Sequence, residues 1–346
     1  MRRTYLLFIS LAVLLSACKK EKKDIVTEQI LVSVNVSNPC YGNTWAEAGA
    51  FDPGINVLHL VYNNKVYVFD YPSTVGANKT VHIYDGITWQ SMYSNIPIFT
   101  NHPTAFAFTI NNKGYIGDSG SSLFYQYDFT TNTFTPKTAY PGIGEDGIAT
   151  FAIGNRGYVM GGTYHQNGGM YNSKETWEYN PVMNSWTQKA DFNTIGVSEA
   201  TGFCVGSRGY LVNGKIKFNY GDVYSNSVFE YNPWTDTWDM KTHYDGDPRI
   251  HTNAFVIGDY AYAGGGARWL SGSWIEYPDF YKYNPATDEW TQIPDIPVQG
   301  KSRYNSFSIN SKGYIVCDAS REGDKLVKYM PRTCPVVSPS GPGTVH

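Results

Sequence analysis

Tyr179-Asn180-Pro181-Val182-Met183-Asn184-Ser185-Trp186 is followed 52 residues later by Tyr231-Asn232-Pro233-Trp234-Thr235-Asp236-Thr237-Trp238. Another 52 residues on stands Tyr283-Asn284-Pro285-Ala286-Thr287-Asp288-Glu289-Trp290. Reading toward the N-terminus, Phe134 takes the Trp position one step earlier and Trp89 one before that. A second ladder runs in phase with the first: Tyr67, Tyr115, Tyr158, Tyr210, Tyr262 and Tyr314, its last three intervals also 52 residues. Two aromatic markers in phase describe one supersecondary unit copied many times. A period of about 50 residues built from strands and turns is that of a β-propeller.

Each unit reads as four strands. The first carries a large apolar residue after a small one, as in Ala107-Phe108, Thr150-Phe151, Gly202-Phe203, Ala254-Phe255 and Ser306-Phe307. A tight turn such as Asn111-Asn112-Lys113-Gly114 leads to the tyrosine strand and a glycine-rich exit, clearest at Gly161-Gly162 and Gly264-Gly265-Gly266. A variable loop follows, then the strand ending in Tyr-Asn-Pro, a turn, and the Trp strand. Alternating strands and turn residues at this spacing make a propeller blade.

The glycine doublet, the Tyr-Asn-Pro and the Trp beyond it resemble the kelch motif. The resemblance covers about residues 45–331; it is strong in units three and five, and in unit four apart from Asn213-Gly214 at the doublet. Units one, two and six depart from it, with Asp70-Tyr71, Asp118-Ser119 and Cys317-Asp318 there. The expected fold is all-β, a six-bladed kelch-type propeller.

Closure of the ring is also legible. The sixth unit has strands at Asn305–Ile309, Gly313–Val316 and Lys325–Tyr329 but no Trp after Tyr329. Asn43-Thr44-Trp45-Ala46-Glu47-Ala48 parallels Asn184-Ser185-Trp186-Thr187-Gln188-Lys189, so the N-terminus is expected to supply the missing outer strand and leave no unpaired edge at the seam. Seven blades are the alternative if residues 27–37 form a blade remnant. Cys40 lies five residues before Trp45 and Cys334 five after Tyr329, which predicts a Cys40–Cys334 disulfide across the seam. In the chain-entropy model it is worth on the order of 5 kcal/mol. Cys204 and Cys317, in blades four and six, read as buried free thiols.

Composition agrees with one large β domain. The 346 residues are only 16 % charged and 16 % aromatic, which excludes disorder and allows a large core. The formal net charge of −3 leaves no basic field to hold nucleic acid.

The first residues stand apart. Arg2 and Arg3 precede a mostly apolar run from Leu6 to Leu15, too short to span a membrane as a permanent helix. Leu15-Ser16-Ala17-Cys18 resembles the lipobox of bacterial lipoproteins, which implies lipidation of Cys18; an ordinary secretory signal is the alternative. The expected organisation is a signal peptide at 1–17, the lipidated Cys18 and a charged tether through 38, a single propeller at 39–336 and a tail at 337–346. The expected location is the bacterial cell envelope, with the membrane touched through the lipid anchor only and the protein a monomer.

Candidate chemistry sits at one mouth of the central channel. The position eleven residues before each ladder tyrosine reads Asn56, Thr104, Gly147, Glu199, His251, Arg303. An acid, an imidazole and a guanidinium therefore hold equivalent places in three consecutive blades. Glu199 and His251 suit an acid–base pair and Arg303 a two-pronged grip on a carboxylate. The bland reading is that the three simply solvate the channel and pair with one another. The variable loops on this face are long and aromatic in blades three to five: Tyr164, His165 and Tyr171; Phe218, Tyr220 and Tyr224; Arg268, Trp269, Trp274 and Tyr277. Flat rings among amides suit a sugar or a protein partner, and equally suit loops folded back on the blades.

Other chemistries are not signalled. The seven histidines show no zinc spacing, and Asx-rich turns such as Asp118-Ser119-Gly120 lack the dense acidic ligands of a calcium site. The kelch resemblance extends to copper radical oxidases, but their ligand set has no matching positions, so neither metal nor cofactor is expected. Two functions remain. One is a non-catalytic binding module for a glycan or protein partner through the loop face. The other is a sugar mutarotase or epimerase, as in the sialic-acid mutarotases of the same fold, with Glu199, His251 and Arg303 as its acid–base and anchoring groups. A purely structural envelope protein is a third reading that nothing in the sequence opposes.

Overall fold

A computed structural model of the chain describes residues 43–50, 57–70, 79–97, 104–121, 123–192, 195–218, 221–297, 301–319 and 323–331. Cys18, Cys40, Cys334 and Tyr220 lie outside them, as do the side chains of Arg303 and Cys317. Among the described residues the regular structure is all strand, in six antiparallel blades.

Blade four shows the plan: Thr201–Val205, Arg208–Val212, Val228–Asn232 and Thr237–Met240 pair in sequence order from the inner strand to the outer. Blades one (Val57–Tyr93), two (Ala105–Pro136) and five (Asn253–Ile293) repeat it. Blade three (Asp146–Lys189) adds a strand, Gly169–Asn172, folded onto its long second strand, Arg156–Gln166. The six inner strands pack side by side in sequence order, and the inner strand of blade six meets that of blade one. There His59 Nδ1 lies 3.1 Å from Asn305 Oδ1. Burial lowers the pKa of that imidazole, against the two hydrogen bonds to Asn305 and Ser306 that raise it.

The repeated sequence signature is explained by three linked contacts. In blade three Tyr179 is fully buried, and its hydroxyl donates to Asn184 Oδ1 at 2.9 Å. Tyr231 donates to Asp236 at 2.8 Å, Tyr283 to Asp288 at 2.6 Å and Tyr127 to Asn132 at 2.9 Å. Each Asx residue has a left-handed backbone (φ 48°, 53°, 54° and 55° for 184, 236, 288 and 132), the region short polar side chains tolerate. That turn delivers the Trp, whose indole N–H donates to the preceding blade: Trp186 to Thr138 O, Trp238 to Ala190 O and Trp290 to Thr242 O. The Pro of Tyr-Asn-Pro enters the same turn, where Asn180 and Asn232 accept backbone N–H bonds with their side chains.

Blade-to-blade packing accounts for the glycine before the ladder tyrosine. A Cβ on Gly209 would lie 2.2 Å from the ring of Phe151 in blade three, and one on Gly313 2.1 Å from Phe255 in blade five. The doublet also finds its reason. Gly161, Gly162, Gly265 and Gly266 all have φ between 65° and 89°. Asn213 and Gly214, the departure in blade four, take φ of 62° and 102°, so Asn213 fills a left-handed position that asparagine accepts.

Blade six closes the ring as expected. Its strands Lys301–Ile309, Lys312–Ala319 and Gly323–Met330 are longer than the sequence suggested, because Cys317-Asp318 lacks glycines and continues the strand. The outer strand is Thr44–Ala50, and Trp45 faces Tyr329 in register just as Trp186 faces Tyr179. Tyr329 donates to Asn43 Oδ1 at 2.8 Å, Asn43 is left-handed (φ 53°), and Trp45 donates to Pro294 O of blade five at 2.7 Å. The strands Thr44–Ala50 and Gly323–Met330 thus rebuild the Tyr–Asx bond, the left-handed turn and the Trp bond of a continuous blade.

Equivalence of the seam to an ordinary blade is testable. Tyr329→Phe and Tyr179→Phe each delete one buried hydrogen bond and should each cost about 1 kcal/mol, within about 0.5 kcal/mol of one another. Denaturant midpoints measure both, and a Tyr329→Phe variant with unchanged stability would show that the seam is not held this way.

Candidate functional site

The inner strands of blades three, four and five are each entered through a left-handed residue: Gly147 (φ 69°), Glu199 (φ 55°) and His251 (φ 60°). Glycine adopts this conformation freely. A glutamate or histidine held there costs on the order of 1 kcal/mol or more, the kind of strain that collects at functional positions. The turns are held by backbone bonds: Glu199 N donates to Gly147 O at 2.7 Å, Ser198 and Lys215 exchange N–H···O bonds, and Ile250 and Ala267 exchange the equivalent pair. Gly147 has a packing reason too, since a Cβ there would meet Glu199 Cγ at 2.8 Å.

This backbone brings Glu199 and His251 together. Glu199 Oε2 lies 2.6 Å from His251 Nε2, while Oε1 lies 2.6 Å from Lys215 Nζ. Lys215 continues to Asp222 Oδ2 at 3.4 Å, and Lys217 reaches the other oxygen at 3.3 Å. Burial alone would raise the Glu199 carboxyl; the bonds and charges of His251 and Lys215 overcome it and bring the pKa down to about 2. Burial likewise opposes the charge of Lys215, but Glu199 and Asp222 hold its pKa above the ordinary lysine value. Asp146, at the start of the inner strand of blade three, is raised by burial and by the negative charge of Glu199.

Lys215 and Asp222 escaped the sequence reading. They sit on a two-stranded hairpin, Lys215–Phe218 with Gly221–Tyr224, in the variable loop of blade four. The repeat did hold a signal: the residues 52 positions either side of Lys215 are Thr163 and Ala267, so the lysine is a local departure in the blade that bears Glu199.

Blade five carries the matching hairpin, Ala267–Leu270 with Ser273–Glu276. Trp269 and Trp274 face each other across it with ring centroids 5.5 Å apart and remain 48 % and 46 % exposed. Trp274 also lies 6.5 Å from the His251 ring, which joins the tryptophan pair to the ionic cluster. Arg268 places its guanidinium over Tyr224 of the blade four hairpin at 5.5 Å, and Trp269 N donates to the Tyr224 hydroxyl. Tyr164 goes elsewhere, against Tyr171 on the flank between blades three and four. Thr104 is buried and donates to Asp118, so blade two contributes no open group at its equivalent position.

A second buried ion pair is structural. Arg249 is completely enclosed, grips Asp279 with both guanidinium nitrogens (2.5 and 2.9 Å) and lies 3.9 Å from the centre of the Tyr277 ring. Burial disfavours its charge, and Asp279 more than restores it. Cys204 is a free, half-buried thiol whose pKa burial lifts to about 11, so it stays protonated and inert near neutrality. Among the described residues no group of three or more His, Cys, Asp or Glu side chains converges as a metal ion would require.

The architecture is that of a kelch-type six-bladed β-propeller. No protein-family model matches the chain. Among curated proteins it resembles the Kelch-like protein terF of Aspergillus terreus, 26 % identical over 160 residues, 43 % of this chain and 34 % of that protein. It also resembles the N-acetylneuraminate epimerase of Shigella sonnei, 29 % identical over 79 residues, 22 % of each chain. The matches thus span about a third and about a fifth of those relatives. Among solved structures that of YjhT superposes with a TM-score of 0.64 at 15 % identity, covering 81 % of this chain and 95 % of that one.

The Glu199 pairing has a pH signature. Its folded pKa of about 2 lies below the ordinary 4.5, so the stability it adds is complete above about pH 4.5 and is lost as the pH falls toward 2. Urea melts of the protein and of Glu199→Gln at pH 6, 4 and 3 should show their stability gap closing toward acid. A gap constant across that range would mean that Glu199 is not held as a paired carboxylate.

Proposed function

We propose that the protein is a non-catalytic binding module that takes a glycan on the loop face of blades three to five, at the channel mouth. The observation that carries the reading is the half-exposed Trp269–Trp274 pair beside the Glu199–His251–Lys215 cluster. Indole faces stack on the apolar face of a sugar ring, while a carboxylate, an imidazole and an ammonium at fixed spacing address its hydroxyls. With Cys18 lipidated, the tether through residue 38 would present this face from the cell envelope.

A second reading, a sugar mutarotase or epimerase, is favoured by one observation. Glu199 Oε2 and His251 Nε2 are 2.6 Å apart, within range for proton transfer, at the mouth where a sugar would sit. The partial likeness to an N-acetylneuraminate epimerase supports an acidic sugar as the first substrate to try.

Binding to a glycan array that includes acidic sugars tests the first reading. A bound sugar should lose about tenfold or more in affinity with Trp274→Ala or Glu199→Ala, as removal of an anchoring aromatic or charged contact does. If neither variant weakens any sugar, the mouth is not the site. Anomer exchange of the bound sugar, followed by NMR, separates the readings: an unchanged rate keeps the binding module, and acceleration that Glu199→Gln abolishes makes it an enzyme. Radiolabelled palmitate incorporated by the wild type and not by Cys18→Ala would support the anchor.

A further inference from the structure

A cleft of about 550 Å³ lies between blades three and four, with the blade four hairpin as one wall and Lys217 of the ionic cluster at its edge. Tyr164 and Tyr171 stand opposite each other on the blade three hairpin with ring centroids 5.7 Å apart, and Tyr171 is 42 % exposed. Ile216 and Phe218 come from the blade four hairpin, and Gln188 from the outer strand of blade three.

Its charges are already engaged within the protein. Lys174 pairs with Asp191 at 3.0 Å, and Lys217 with Asp222. Glu175 accepts from Ile143 N at 3.1 Å and from the Trp177 indole at 2.9 Å. Lined by two lysines and two carboxylates, the cleft carries no net charge to attract a charged ligand. One polar group, by contrast, is left over. Asn172 is 9 % exposed, and its Oδ1 accepts the backbone N–H of Lys217, tying the two hairpins together. That bond fixes the amide orientation, and the buried Nδ2 donor has no partner. A buried donor without an acceptor carries a desolvation cost of about 1–3 kcal/mol, which a ligand oxygen would relieve once a shift of the cleft wall uncovers Nδ2.

We propose that this flank cleft binds an uncharged saccharide unit, distinct from the mouth, with the Tyr164–Tyr171 pair and Phe218 against its apolar face and Asn172 Nδ2 donating to one of its oxygens. The volume suits a mono- or disaccharide. The proposal deepens the glycan-binding reading by giving the loop face a second position of different chemistry, so that a neutral residue of an oligosaccharide and the residue at the mouth are held on either side of one hairpin.

Ligand-observed NMR titration of the purified protein with cellotetraose, chitotriose and N-acetyllactosamine, and with 3′-sialyllactose as the charged probe, tests it. At least one neutral oligosaccharide should bind, with affinity weakened about tenfold by Tyr171→Ala, the loss of one aromatic anchor. Glu199→Gln, which alters the mouth, should weaken the neutral sugars less than Tyr171→Ala does. Tyr171 is surface-exposed, and an unchanged melting temperature for Tyr171→Ala would exclude unfolding as the cause. The proposal is overturned if no neutral sugar binds at millimolar concentration. It is equally overturned if neutral-sugar binding survives Tyr171→Ala and is lost in Glu199→Gln, which would make the mouth the sole site. Failure of the mouth reading looks different: 3′-sialyllactose and the neutral sugars would then be indifferent to both Glu199→Gln and Trp274→Ala.

Discussion

A buried tyrosine hydroxyl donating to an asparagine or aspartate is the contact on which the ring depends. Burial raises the pKa of Tyr231 and Tyr283, and their bonded aspartates raise it further, so each phenol remains a proton donor at any physiological pH. The acceptor is the left-handed residue that turns the chain, and the turn sets the Trp whose indole bonds to the preceding blade. One hydrogen bond therefore links turn, strand pairing and inter-blade packing. At the seam the same bond joins Tyr329 to Asn43 across nearly the whole chain. A ring that closes by repeating its internal contact leaves the third strand of its last blade paired at the seam, so the edges that remain are the short outer strands of the blades.

That rigidity is what the candidate site draws on. Glu199 and His251 are kept in a backbone conformation that neither favours, and a packed inner strand follows each of them. Strain of this kind persists only where the surroundings over-determine it. The result is a carboxylate that stays ionised to low pH with both oxygens engaged, one by an imidazole and one by an ammonium. A group so held is a fixed hydrogen-bonding post. It is a poor proton acceptor unless a ligand displaces one of its partners, which is the reason for proposing recognition ahead of proton transfer.

Much of this was legible before any coordinates. Tyr, Asx and Trp at constant spacing revealed the blades because each residue has a local job that the neighbouring blades repeat. Trp45 and Asn43 revealed the closure for the same reason. Glu199 and His251 were found by reading one repeat position around the ring, and they do meet. Lys215 is not singled out, because its hairpin repeats in backbone register but not in residue type, with Thr163 and Ala267 at the equivalent positions. Composition groups Tyr164 and Tyr171 with the loop aromatics of blades four and five, and the two instead line the flank cleft together.

The sequence by itself determined the all-β propeller, its blade order and the joining of its ends, because these rest on short-range turn chemistry and on periodic burial, both written residue by residue. Only the tertiary structure decided which side chains share a site. The hairpins of blades three, four and five share one register at 52-residue offsets, and they lean on one another through contacts such as Asn172 to Lys217 and Trp269 to Tyr224. Those two contacts stand 52 residues apart and so repeat with the blades, but they join different side chains each time, and no sequence motif announces them. They exist because the ring sets the blades side by side.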